Sequence, residues 1–95
     1  MTIKVLIKRK VTEDTAPGLD FLLRKLRSMA IHQKGYISGE TLSSIDEPGT
    51  SLVIATWLTL DDWRRWSYSE ERRELQDQID LLVGEPTKFE VYGVA

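Results

Sequence analysis

From Leu52 to Leu58 the chain is apolar on both faces of any strand it could form, and the run carries the first of three tryptophans, Trp57. A strand buried on both sides needs a central place in a sheet and a layer covering each face. The remaining tryptophans, Trp63 and Trp66, fall just past a helix-start signal, Thr59 followed by Asp61 and Asp62. Their spacing puts both indoles on one side of the next helix. Large aromatic surface is thus concentrated at a strand end and on the adjoining helix, where it builds either a core corner or the wall of a pocket.

The other segments supply partners for that strand. Ile3 to Lys10 alternates, with Ile3, Val5 and Ile7 on one face and Lys4, Leu6 and Lys8 on the other. Thr12 to Gly18 reads as a polar connection, with Pro17 suited to a first helical turn. Leu19, Leu22, Leu23, Leu26 and Ala30 keep helical spacing and predict a helix to about His32, stopped at Gly35. Tyr36 to Ile45 predicts a polar, glycine-containing strand near a sheet edge, closed by the Asp46-Glu47-Pro48-Gly49 turn. Ser67-Tyr68-Ser69 interrupts the second helix. Either Ser67, in a capping box with Glu70, or Ser69 starts the stretch carrying Leu75, Ile79 and Leu82. Gly84-Glu85-Pro86 ends it, and Lys88 to Val94 predicts a last strand with Phe89 and Val91 opposite Glu90 and Tyr92.

The order β-α-β-β-α-β predicts an α+β, ferredoxin-like fold over residues 1–95 as one domain. Right-handed crossovers put the helices on one face of a four-stranded antiparallel sheet, with the first and third strands central. The opposite sheet face would then carry apolar side chains with no helix above them. A patch of that kind predicts association, and the expected partner is a second copy meeting it sheet to sheet.

Composition narrows the function. The net charge is -2 and positive charges form no stripe, which excludes a nucleic-acid interface built on phosphate neutralisation. No apolar run reaches membrane-spanning length, lysines and arginines interrupt the N-terminal hydrophobics, and a cytoplasmic location is the expectation. Without cysteine there is no thiolate ligand or nucleophile. No H-x-x-x-H, D-x-D-x-D or glycine-rich phosphate loop is present, so no metal or nucleotide cofactor is expected. His32, the single histidine, is either a dipole-complementing surface residue or a proton-transfer group or metal ligand. Trp66, beside the helix break and followed by polar residues, is either core or pocket wall.

The segments VIATWLTLDDWRRWSYSEERREL, KGYISGETLSS and GEPTKFEVYGV resemble the antibiotic biosynthesis monooxygenase family, a dimeric α+β barrel group. Gly35, Trp57, Trp66 and Ser69 carry the resemblance. It implies a homodimer with a pocket between helices and sheet in each subunit. It also implies oxidation of quinols or polycyclic phenols by molecular oxygen without metal or flavin, or alternatively haem degradation. The haem-degrading branch has an asparagine on the first strand, a tryptophan in the second helical region, which Trp66 matches, and an axial histidine. This chain offers Ile7 and Lys8 for the first and Gln76 near the last, so haem degradation is disfavoured.

The expected function is therefore a cofactor-independent monooxygenase acting on a quinol-like or phenolic small aromatic. Trp66, Tyr68 and His32 are the catalytic candidates, and Trp63, Trp66 and Arg72 the substrate-binding ones. The alternative is a non-catalytic homodimer that binds a small ligand or a partner.

Overall fold

The computed structural model describes residues 1–95. Its elements run β1 (Ile3–Lys10), α1 (Ala16–Ala30), β2 (Tyr36–Ser43), β3 (Thr50–Trp57), α2 (Leu60–Ser67), α3 (Glu70–Val83) and β4 (Lys88–Gly93). The sheet is fully antiparallel in the order β2-β3-β1-β4. The expected ferredoxin-like plan is present, with β1 and β3 in the centre and β2 at an edge.

Strand alternation decides which layer each side chain joins. Val5 pairs with Ala55 on one side and Val91 on the other, and Ile7 with Val53 and Phe89. This odd-numbered face of β1 is the buried one, and Ile3, Val5 and Ile7 join Ala30, Trp57, Trp63 and Trp66 in the core. The opposite face carries Leu6, Leu52 and Ile54, half-buried, with Leu42 exposed beside them and no helix above.

Helix ends are set by local polar groups. The Thr59 hydroxyl accepts from the Asp62 backbone N–H at 3.1 Å and starts α2 with Asp61 and Asp62 at its positive end. Of the two serines able to start α3, Ser69 is the cap. Its hydroxyl accepts from the Arg72 backbone N–H at 3.3 Å and donates to the Trp66 carbonyl at 2.8 Å. It thereby ties the end of α2 to the start of α3. Ser67 instead donates back to the Arg64 carbonyl. α1 begins earlier than its apolar spacing suggests, with Pro17 in its first turn, and ends at Ala30, which leaves His32 in the following turn.

α1 makes its tightest contacts near its two ends. At the start Gly18 lies against Leu82 of α3, where even a Cβ would come within 3.1 Å of the leucine methyl. At the finish Ala30 enters the core. Between these points Leu22 and Leu23 stay half-buried, while Leu26 packs against the edge of the core.

Gly35 connects this layer to α2. Its backbone is left-handed (φ +86°), its carbonyl accepts from the Leu58 N–H at 2.7 Å, and a Cβ would overlap the buried Asp62 carboxylate. Gly35→Ala is expected to lower stability by about 2–4 kcal/mol, or about 10 °C or more in Tm. Thermal unfolding followed by circular dichroism measures it, and an unchanged Tm would contradict this account of the turn.

Candidate functional site

The gap beneath α1 is a cavity of about 650 Å³ including the part open to solvent, of which about 80 Å³ can hold the centres of water-sized molecules. The floor is β-sheet: Ile7 and Arg9 from β1, Val53, Ala55 and Trp57 from β3. Leu23, Leu26 and Ala30 of α1 form the roof, and Trp63 and Trp66 of α2 the end wall. Tyr36, Gly39 and Thr41 of β2 line the edge, where Arg27 of α1 donates to the Thr41 hydroxyl at 3.0 Å.

The aromatic rings form a continuous file. Tyr36 meets Trp57 edge to face at 5.4 Å and 83°, Trp57 lies 5.9 Å from Trp63, and Trp63 lies 6.0 Å from Phe89. Gly39 leaves room for Tyr36, since a Cβ there would come within 2.8 Å of the phenol oxygen.

Polar groups concentrate at the α3 side. Arg72 is 6% exposed, and its guanidinium lies 5.3 Å from the Trp63 ring and 4.8 Å from Phe89. It donates to the Ser67 carbonyl at 3.3 Å and to Gln76 Oε1 at 3.4 Å. Gln76 Nε2 donates to Asp80 Oδ1 at 2.8 Å and to the Thr87 hydroxyl at 2.7 Å. Thr87 in turn donates to Asp80 Oδ1 through both its hydroxyl and its backbone N–H. The amide of Gln76 is therefore held in one orientation, and through it the Arg72 fork.

Arg9 shares this end and is 5% exposed, yet its Nε and Nη2 have no hydrogen-bond partner. The indole N–H of Trp57, also buried, has none either. Burial pushes the Arg9 guanidinium down from its ordinary value, with Asp80 opposing. Burial pushes Arg72 down to about 10, with the like charge of Arg9 adding and Asp80 opposing. Both remain cationic at neutral pH. No aspartate, glutamate or histidine lines the cavity.

Of the residues singled out in the sequence, Trp63, Trp66 and Arg72 come together on the cavity wall. His32 and Tyr68 do not. α1 ends before His32, which is exposed in the turn, and Tyr68, which closes α2, is 73% exposed. The phenol that does line the cavity is Tyr36, brought beside Trp57 by strand pairing. Arg9 is the other residue that sequence reasoning missed. The signal was present: it continues the odd-numbered inward face of Ile3, Val5 and Ile7.

Four antiparallel strands below three helices, with an apolar cavity between the layers and two buried guanidinium groups at one end, define a ferredoxin-like α+β protein with an internal site. The profile of the antibiotic biosynthesis monooxygenase family matches residues 2–78, and the chain belongs to that family. Among solved structures, a conserved protein of Methanosarcina mazei superposes with a TM-score of 0.89 at 15% identity, covering 100% of this chain and 94% of the other. A Mycobacterium tuberculosis protein gives 0.85 at 16% identity, covering 100% and 96%. SnoaB of Streptomyces nogalater, a cofactor-independent oxygenase, gives 0.84 at 14% identity, covering 99% and 93%. At these identities the likeness shows a shared fold. Among curated protein sequences none matches the chain.

The unpartnered charge has a measurable consequence for stability. Arg9→Met removes a buried cation that no carboxylate pairs with and keeps similar bulk. It is expected to stabilise the ligand-free protein by about 1–3 kcal/mol, a Tm rise of about 4 °C or more. A Tm that falls would mean that Arg9 is satisfied in solution.

Proposed function

We propose that this protein is a cofactor-independent monooxygenase acting on a quinol-like or phenolic small aromatic, working as a homodimer in the cytoplasm. The observation that carries the reading is the cavity itself: indole walls from Trp63 and Trp66 meeting a buried, oriented guanidinium, Arg72. Family membership supports the oxygenase chemistry. In such a reaction the ionised ring donates electrons to dioxygen. One oxygen atom bonds to a ring carbon, and the other leaves as water with two hydrogens from the substrate. The protein's part is to favour the substrate anion, hold the ring and exclude bulk water. A guanidinium against the ring edge favours the phenolate over the phenol. The Trp63 and Trp66 indoles offer flat surface for stacking.

A second reading, a non-catalytic homodimer that binds a small ligand, is favoured by one observation. The cavity lining offers no carboxylate or imidazole to act as base. Oxygen uptake by metal-free protein with a panel of hydroquinones separates the two. Uptake above the buffer rate, reduced about tenfold or more in Trp66→Phe, is the expected result. No uptake with any member would leave the binding reading.

The bare sheet face is where two copies would meet, with Leu6, Leu52 and Ile54 as the apolar centre of the contact. Ile54→Lys is expected to weaken dimerisation at least ~tenfold, because it buries an unpaired charge at that centre. Sedimentation at micromolar concentration reads it directly, and a wild-type monomer would exclude the dimer.

A further inference from the structure

The unmet buried polar atoms belong to two residues that line the cavity, and they share one chemistry. Arg9 Nε, Arg9 Nη2 and Trp57 Nε1 are all donors, and none has an acceptor. Native buried polar groups are almost always satisfied, so a set of orphans of one kind marks what is missing. What is missing here is oxygen that accepts hydrogen bonds.

Charge points the same way. The chain's two ion pairs, Asp20 with Arg24 and Asp62 with Arg65, lie elsewhere, so neither buried arginine is paired. Asp80 is the carboxylate that acts on both. Its Oδ1 is already taken by Gln76 and by both donors of Thr87. Two guanidiniums against one carboxylate leave a single uncompensated positive charge at a buried end. An isolated buried charge is strongly unfavourable unless something neutralises it on binding. A bound anion supplies the missing negative charge. A carboxylate also matches the fork of an arginine with two parallel N–H···O bonds.

We propose that the cavity takes an aromatic molecule bearing a carboxylate, whose oxygens accept from the free N–H groups of Arg9 beside Arg72 while its ring lies against Trp63 and Trp66. This deepens the reading of the cavity as the substrate site, on which it rests, by assigning the substrate class: an aromatic acid. Arg9 acts as the primary recognition group. Arg72, already held by Ser67, Gln76 and the two rings, adds its field from a fixed position.

Calorimetric titration with naphthalene-2-carboxylate and naphthalene-2-carboxamide tests it. The two probes have nearly the same shape, and neither is a hydroquinone, so binding is read apart from turnover. In the unmodified protein at pH 7 the acid is expected to bind at least ~tenfold tighter than the amide. In Arg9→Gln that preference is expected to fall to about onefold while amide binding persists. Equal affinities in the unmodified protein would overturn the proposal, and that comparison needs no variant to fold. Absence of binding by either probe, or an acid preference that survives in Arg9→Gln, would overturn it as well. A clear acid preference with no oxygen uptake from any hydroquinone would count against the monooxygenase reading alone. Oxygen uptake with no acid preference would count against this proposal alone.

Discussion

The fully buried indole of Trp57 is the contact on which the two layers depend. It closes the central strand β3, pairs with Ile3 of β1 and Tyr36 of β2, and carries Trp63 of α2 on its other side. Sheet and helices therefore meet through edge-to-face and tilted rings rather than through small side chains. Rings of this size hold α2 at a fixed height above the strands. α1, anchored at Gly18 and Ala30, cannot collapse onto the floor between its two ends. The cavity follows from that geometry: a small domain has traded some packing for an interior space.

The same space is where the protein departs from what stability alone would select. Two guanidiniums are removed from water without a paired carboxylate, and one of them has unfilled hydrogen-bonding positions. Arg72 is partly compensated by the faces of Trp63 and Phe89 and by the polar chain through Gln76 to Asp80 and Thr87. Arg9 is not. Residues that weaken a fold in its free state are characteristic of sites shaped for something else to occupy.

Much of the architecture was legible in the sequence because strand faces obey a period of two and helix faces one near four. The inward set Ile3, Val5 and Ile7 and the central position of the Leu52–Leu58 run needed no tertiary information. The helix break at Ser67–Ser69 was visible too, but which serine would cap α3 depended on where the Trp66 carbonyl came to lie. The site was harder to read. Trp63, Trp66 and Arg72 sit close along the chain, and a local pattern sufficed to group them. Tyr36 reaches the cavity only through register with Trp57, the topology of residues 37–56 being summed up in one pairing. Arg9 obeyed the alternation rule that placed its neighbours. Its charge, among Lys8 and Lys10, pointed to solvent, yet the residue is buried. Tyr68 and His32 have suitable chemistry but lie just past the ends of their helices, where the chain turns outward.

The interruption between α2 and α3 has a geometric effect beyond ending one helix and starting another. In an unbroken helix, residues advance about 100° each, so position 72 would lie about half a turn away from position 63. The guanidinium would then project from the side opposite the Trp63 ring. The short Tyr68–Ser69 joint, fastened by one hydroxyl to both helices, resets the angular phase so that cation and indole face each other. The joint thus behaves as a keyed coupling between two shafts, and its length in residues, more than its composition, decides which way the charge points.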